Sequence, residues 1–190
     1  MKNALLSLAA AALLLAACGK KEQPAAQAEA PAPAAPAAQA AKAPAAPAAA
    51  YSKKDTYFKL PGAAGGEIDL ASYAGKPVLV MFFTETCPYC RKAAPFIQQV
   101  SASFGRKGLG VVGICVQDSA QAAVNFAADF GLTFPLAYGG GAVSRAYRTQ
   151  GVPYIYLLTK DHEIYDVWEG YDPRYDPSIL KGVETVLAKK

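Results

Sequence analysis

The stretch Phe83-Thr84-Glu85-Thr86-Cys87-Pro88-Tyr89-Cys90-Arg91 determines how the rest of the chain is interpreted. It begins at the end of the apolar run Val78–Phe83, which predicts a buried strand, and it leads into residues 92–100, whose apolar positions have helical spacing. The strand would therefore deliver two cysteines, spaced C-x-x-C, to the N-terminus of a helix. Free backbone N–H groups and the helix dipole favour an anion at that point, so we expect Cys87 to be a thiolate nucleophile. Cys90, one turn further along, would be the less exposed resolving thiol.

Other uses of a C-x-x-C pair fit this chain less well, although they stay open. A zinc site needs four ligands, and only Cys115 and the single histidine, His162, remain as further candidates, in no ligand-spaced pair. Haem attachment requires histidine directly after the second cysteine, where this chain has Arg91. A structural disulfide would close a loop too short to constrain the unfolded chain much. The pattern favours a thiol–disulfide redox centre.

Residues 1–17 have the pattern of a cleavable targeting segment. Lys2 supplies a positive charge, and residues 4–17 form an apolar run shorter than the roughly 20 residues of a membrane span. The run ends in Leu15-Ala16-Ala17-Cys18-Gly19, which resembles the lipobox of bacterial lipoproteins. That resemblance implies that Cys18 is the lipidated first residue of the mature protein, held at a membrane by two or three acyl chains. An ordinary secretory signal with an unmodified cysteine is the alternative, and Gly19 at the next position slightly favours the outer membrane.

Residues 18–50 and residues 51–190 differ sharply in composition. After Cys18, the first segment is almost entirely Ala, Pro, Lys, Glu and Gln, without branched apolar or aromatic residues, which predicts a disordered tether. The second is long enough for one domain with its own core. The net charge of the chain is only +4, from 19 basic and 15 acidic side chains, and it is evenly spread. This charge does not suggest a nucleic-acid partner.

Strands and helices alternate in the predicted domain. A short hairpin is expected at 58–62 and 67–70, and the apolar runs 78–83 and 109–116 predict central strands covered on both faces. The remaining predicted elements are helices at about 88–105, 120–130, 143–149 and 177–188, and extended segments at 131–136, 151–158 and 163–169.

Two finer predictions concern single positions in these elements. Asp118-Ser119 would cap the helix over 120–130, with Val124, Phe126, Ala127 and Phe130 on its buried side. His162 lies in a turn among charged residues and is expected at the surface, whereas Cys115 lies within a central strand and is expected to be buried and inert.

This order of elements resembles the thioredoxin fold, and more narrowly the TlpA/ResA-like thioredoxins that are tethered to membranes in the bacterial periplasm. The matching motifs are Gly75-Lys76-Pro77-Val78, the apolar strand into Cys87-Pro88-Tyr89-Cys90, Asp118-Ser119, Phe134-Pro135 and Gly151-Val152-Pro153. The resemblance implies an α/β domain with a central mixed β-sheet flanked by helices, extended here by the N-terminal β-hairpin.

The resemblance also implies roles for particular residues. Pro153 would be a cis-proline facing the dithiol, and Asp118 would exchange the proton of Cys90, unless it serves only as a helix cap. The residues expected to contact the client protein are Thr86, Pro88, Tyr89 and Val152. Two positions depart from the usual pattern, because Thr86 replaces a tryptophan and the dipeptide Pro88-Tyr89 is the one found in glutaredoxins. A glutaredoxin-like reduction potential would be about −200 to −230 mV.

The function implied by the resemblance is that of a membrane-tethered thiol:disulfide oxidoreductase that reduces periplasmic proteins. Its clients would include apocytochromes c and copper-site proteins, its electrons would come from a membrane donor of the DsbD/CcdA type, and it needs no cofactor. Two alternatives stay open. One is a peroxiredoxin-like thiol peroxidase, suggested by the spacing Thr84-x-x-Cys87, although Val80 stands where those enzymes carry proline. The other is a non-catalytic module that binds Cu(I) through Cys87 and Cys90.

Overall fold

A computed structural model describes residues 54–189 of the chain. The predicted signal peptide, Cys18 and the tether therefore lie outside the described residues. The strands are β1 (Lys59–Pro61), β2 (Glu67–Asp69), β3 (Val78–Phe83), β4 (Gly110–Cys115), β5 (Leu136–Ala137), β6 (Tyr154–Leu158) and β7 (Ile164–Glu169). The helices are α1 (Pro88–Phe104), α2 (Ala120–Phe130), α3 (Gly141–Ala146) and α4 (Asp176–Ala188).

Five strands form one mixed sheet in the order β5-β4-β3-β6-β7. Strands β3, β4 and β5 are parallel, whereas β6 runs antiparallel to β3 and β7 antiparallel to β6. At its C-terminal end, β3 pairs with β4 through Phe83 and Cys115, and with β6 through Phe82 and Tyr154. Because parallel strands end at the same edge and an antiparallel neighbour begins there, the segments after β3, after β4 and before β6 all meet at one edge of the sheet.

Strand β3 is fully buried because both faces of the sheet are covered. Successive side chains of a strand point to opposite faces. Leu79, Met81 and Phe83 join a core that also holds buried residues of α1, α2 and α4. Val78, Val80 and Phe82 join a second core that includes Phe58, Leu70 and Tyr147. The absence of polar alternation in the sequence of β3 follows from this arrangement.

The N-terminal hairpin of β1 and β2 covers the β5 edge of the sheet. Gly62 bridges to Ala137, the Ala63 N–H donates to the Leu136 carbonyl at 2.7 Å, and the Tyr138 N–H donates to the Pro61 carbonyl at 3.1 Å. These contacts pair backbone groups that an edge strand would otherwise leave without hydrogen-bond partners in the sheet. The predicted fold class is confirmed, and so is the hairpin extension.

The predicted buried face of α2 is wrong at one position. Val124 is 40% exposed, while Ala122, Ala123 and Phe126 are buried. Residues two apart on a helix lie on nearly opposite sides of its axis, so Val124 and Phe126 cannot share a face. Phe126 instead stacks on Phe83 of β3, with ring centroids 4.3 Å apart.

The prediction that His162 lies at the surface is also wrong. Its side chain is fully buried, with Nε2 3.1 Å from the Tyr73 carbonyl oxygen, and the Thr56 hydroxyl donates to the His162 carbonyl. Burial lowers the pKa of His162, although hydrogen bonds to the backbone of Tyr73 and Lys76 act in the opposite direction. The charged neighbours of His162 in the sequence do not reveal these contacts, because Tyr73 lies 89 positions away along the chain.

Candidate active site

Cys87 lies between β3 and α1 and is the N-cap residue of the helix. Its extended backbone turns the chain out of the sheet, and its Sγ accepts a hydrogen bond from the Cys90 N–H at 3.1 Å. Pro88 occupies the first turn, where a missing N–H costs no intrahelical bond. The Cys87 sulfur thus caps free N–H groups at the positive end of the helix dipole, which favours a negative charge on that atom.

Cys90 lies one turn into α1 and is fully buried. Burial raises the pKa of its thiol strongly, and the interaction with Cys87 raises it further, whereas backbone N–H groups near Thr84 and Cys90 oppose the shift. Cys90 is therefore a protonated thiol at neutral pH. Cys87 is only partly buried. The two cysteines differ in access to solvent as the sequence predicted, and both are free thiols in this structure.

The segment before β6 brings the next two predicted residues to the dithiol. The Val152–Pro153 peptide bond is cis, the geometry that the resemblance implied. The Cys87 thiol donates to the Val152 carbonyl over 3.4 Å. The pairing of Phe82 with Tyr154 causes this approach, since it places the start of β6 beside the end of β3. Thr86, Pro88 and Tyr89 surround Cys87 with exposed side chains, and Tyr89 is 56% exposed.

Asp118 is not brought to the dithiol in the same way. Its side chain is exposed, and it makes no hydrogen bond to Cys87 or Cys90 in the part of the chain that the structure describes. The cap of α2 is Ser119, whose Oγ accepts from the Ala122 N–H at 3.3 Å, and not Asp118. The proposed proton exchange between Asp118 and Cys90 stays a prediction without a supporting contact.

Sequence reasoning missed the side chains that hold the loop in front of Cys87. The Glu85 N–H donates to Gln117 Oε1 at 2.9 Å, and Asn125 Nδ2 donates to Glu85 Oε1 at 2.7 Å. Gln117 follows β4 and Glu85 follows β3, and the ends of parallel neighbours share an edge. The register between β3 and β4 was the available signal, because it places a polar residue after β4 beside the loop that carries Cys87.

Two further contacts fix the surroundings of this loop. Arg91 of α1 pairs with Asp129 of α2 at 2.9 Å and lies over the Phe130 ring at 4.9 Å, so it ties the start of α1 to the end of α2. Cys115 is fully buried, as predicted, and its thiol is 3.8 Å from Gln117 Oε1. Burial raises the pKa of the Cys115 thiol, which keeps it protonated.

An open cleft of about 260 Å³ adjoins the two cysteines. Tyr89, Val152 and Pro153 form one side of it, and residues within 169–175, between β7 and α4, form the other. Cys87 thus contacts the backbone carbonyl of Val152, a residue that also lines this cleft. The site combines an accessible thiol, a buried partner thiol and an adjoining concave surface, which is what disulfide exchange with a second protein chain requires.

A family model described as the AhpC/TSA family matches residues 52–167, more than half of the chain. The chain belongs to the AhpC/TSA family. Among its relatives is the thiol-disulfide oxidoreductase ResA of Bacillus thuringiensis subsp. konkukian, which is 26% identical over 113 residues. That match spans 59% of this chain and 65% of the ResA chain, so slightly less than two thirds of the relative is represented.

Solved structures of other proteins share the fold. A Chlorobium tepidum protein described as a thiol:disulfide interchange protein, DsbE, superposes with a TM-score of 0.67 at 24% identity, over 73% of this chain and 98% of that one. Peroxiredoxin Q of Xanthomonas campestris superposes with a TM-score of 0.59 at 19% identity, over 68% and 91%. At these identities the similarity shows a common architecture. Within residues 54–189, no helix is both long and apolar enough to span a bilayer.

Proposed function

We propose that this protein is a thiol–disulfide oxidoreductase that reduces disulfides of other proteins through Cys87 and Cys90. The observation that carries the proposal is the unequal pair of thiols at the start of α1. Cys87 is partly exposed and its sulfur accepts a backbone N–H at 3.1 Å, whereas Cys90 is fully buried behind it. The similarity to ResA, a thiol-disulfide oxidoreductase, supports the same chemistry.

The reaction proceeds in two exchanges. The Cys87 thiolate attacks one sulfur of a client disulfide, so that a mixed disulfide forms and the other client sulfur leaves as a thiolate. Cys90 then loses its proton and attacks Cys87. The Cys87–Cys90 bond forms, the mixed disulfide breaks, and the second client sulfur leaves. The client gains two electrons and two protons, and the dithiol is oxidised.

The second exchange requires the buried Cys90 thiol to lose its proton. Burial stabilises the neutral thiol, and no carboxylate is in hydrogen-bond contact with Cys90 among residues 54–189. In the mixed disulfide, Cys87 carries no negative charge, so one cause of the raised Cys90 pKa is removed at that stage. The departing client thiolate is a base produced beside the site, and it takes up the proton directly or through water.

Location and partners complete the proposal. Lipidation of Cys18 and the tether over 18–50 would hold the domain at the periplasmic side of a membrane, with the outer membrane slightly favoured. Outside the cytoplasm the oxidised dithiol needs a source of electrons, and a membrane donor of the DsbD/CcdA type would supply them. Apocytochromes c, copper-site proteins and other oxidised periplasmic proteins are the proposed clients. The exchange itself needs no cofactor.

The reduction potential of the Cys87/Cys90 pair tests this function. The full chain, purified in a non-ionic detergent, is equilibrated with thiol buffers of defined potential, and the fraction of free thiol is measured by alkylation and mass. A potential of about −230 mV or lower supports a reductase, whereas a value near −120 mV identifies an oxidant that forms disulfides. Absence of a two-electron transition would eliminate the redox function and favour Cu(I) binding, which the metal content of the reduced protein then measures.

A thiol peroxidase is the second candidate, because the spacing Thr84-x-x-Cys87 holds Thr84 beside the nucleophile. The Cys87 N–H donates to the Thr84 carbonyl at 3.4 Å. A peroxidase would reduce hydrogen peroxide to water with Cys87 alone, which becomes a sulfenic acid, and an added small thiol would reduce Cys87 again. The variant Cys90→Ser, assayed with that thiol, therefore separates the two activities. Rapid peroxide consumption by this variant would favour the peroxidase, and its absence would favour the oxidoreductase.

A further inference from the structure

The cleft beside the redox centre takes no part in the two exchange steps. Its volume of about 260 Å³ is enough for one long side chain. Val152 lines the cleft, and the same residue's carbonyl lies 3.4 Å from the Cys87 sulfur. An extended chain advances about 3.3 Å per residue. A client whose cysteine reaches Cys87 therefore has a neighbouring side chain, within two residues, that can enter the cleft.

Three tyrosines give the cleft an aromatic lining. They are Tyr89, Tyr171 and Tyr175, of which Tyr89 is 56% and Tyr175 is 37% exposed. The face of an aromatic ring attracts a cation that approaches within about 6 Å. The Tyr89 ring already makes such a contact with Lys92, whose Nζ lies 5.1 Å from its centroid.

Among the charged side chains that line the cleft, one carboxylate forms no ion pair with a residue that the structure describes. Arg174 is neutralised by Asp172, with Nε–Oδ1 and Nη2–Oδ2 distances of 3.0 Å each. Glu169 interacts with the neutral hydroxyl of Tyr154, and it forms no ion pair with any other residue that the structure describes. The lining residues therefore combine aromatic rings with a net charge of −1, from Glu169, Asp172 and Arg174, while Lys92 lies beside them at the Tyr89 ring. That combination suits a long side chain with a cationic end.

We propose that this cleft selects client proteins that carry an arginine or lysine within two residues of the reactive cysteine, with Glu169 pairing with the cationic group and the tyrosines contacting its stem. The inference deepens the proposed function and rests on it. Recognition of the basic side chain would bring the client disulfide to Cys87 in a fixed orientation, and it would leave the exchange chemistry itself unchanged.

The test uses disulfide-linked peptides and the reduced full chain in a non-ionic detergent. Each peptide has blocked ends and one cysteine, with arginine, leucine or glutamate one or two residues away. A peptide of the same charge with arginine four or more residues from the cysteine is the control. The second-order rate of peptide reduction is measured by quenched alkylation, for the native protein and for Glu169→Gln. Glu184→Gln, a change at an exposed carboxylate of α4, is the matched control variant.

The proposal expects the nearby arginine to raise the rate over leucine by about three- to ten-fold, the size of one exposed ion pair with one cation–π contact. The ratio of the arginine-peptide rate to the leucine-peptide rate should fall to about one in Glu169→Gln and persist in Glu184→Gln. In the native protein this ratio should decrease as salt is added. Equal rates for arginine and leucine, or a preference that survives Glu169→Gln, would overturn the assignment while leaving the oxidoreductase intact. If no peptide oxidises the dithiol, the proposed function fails and this inference fails with it.

Discussion

At the scale of single residues, the two cysteines should have different consequences when changed. Cys87→Ser removes the accessible sulfur, and we expect it to abolish disulfide exchange. Cys90→Ser leaves the nucleophile but not the resolving thiol, so mixed disulfides between Cys87 and clients should accumulate. Non-reducing electrophoresis of cell extracts, followed by mass spectrometry, detects them. Cys115→Ala is the control, since that buried thiol is not expected to resolve anything. If Cys90→Ser traps no more protein than the native chain does, Cys90 is not the resolving thiol.

His162 makes the stability of the domain depend on pH. Its pKa in the folded state lies below the ordinary value of 6.5, because burial disfavours the charged ring. The unfolded chain therefore binds more protons than the folded one as the pH falls below about 6.5, and the free energy of unfolding decreases. Above that pH both states hold neutral histidine, and this contribution is constant. Urea unfolding from pH 8 to 5 measures the decrease.

The variant His162→Asn identifies the source of this pH dependence. His162 has a positive φ of 59°, which asparagine tolerates better than most residues. The variant is expected to be less stable at pH 8, because it loses the buried ring and its bond to Tyr73. Its stability should nevertheless change less between pH 7.5 and 5.5. An unchanged slope would assign the effect to other groups.

At the scale of elements, the loop between β3 and α1 depends on a side chain from another strand end. Gln117→Ala removes the acceptor of the Glu85 N–H, and one lost hydrogen bond to a partly buried group costs about 1 kcal/mol. Because this loop carries Cys87, we expect the rate of client reduction to fall by about five- to ten-fold. Gln117→Glu retains an acceptor and should restore most of the rate, whereas Gln99→Ala, on the exposed side of α1, should have no effect. A loss of the same size in Gln99→Ala would point to a general loss of stability.

The sequence predicts those elements that are determined by residues adjacent to one another in the chain. The apolar run Val78–Phe83 and the C-x-x-C pair beside it determine β3, the start of α1 and the position of Cys87 between them, since each depends on neighbours in the chain. Burial of His162 was missed because it depends on a contact with Tyr73, 89 positions away. Gln117 was missed for a similar reason, because its partner Glu85 lies 32 positions away and only the strand register connects them. The error at Val124 had another cause, the phase of one helix, which the sequence could have corrected.

At the scale of the whole molecule, the sheet assembles the site from three separate parts of the chain. The end of β3 provides Cys87, the segment after β4 provides Gln117, and the segment before β6 provides Val152 and Pro153. All three lie at one edge because β3 is central, with a parallel neighbour on one side and an antiparallel neighbour on the other. The core on both faces of β3 fixes their relative positions. The sheet topology therefore assembles the candidate site, and only the position of Cys87 follows from its neighbours in the sequence.

The location of the protein is a prediction that depends on Cys18, outside the described residues. Cys18→Ser removes the residue that the lipobox would modify, and without acyl chains nothing in residues 54–189 is long and apolar enough to span a membrane as a helix. One acyl chain gives only marginal binding, whereas two or three hold a protein firmly. We expect native protein in the membrane fraction and labelled by palmitate, and the variant to lose both properties. Exchange activity measured on extracts should be equal for the two proteins. A variant that stays in the membrane fraction, or a native chain without label, would instead favour an ordinary secretory signal with another means of attachment.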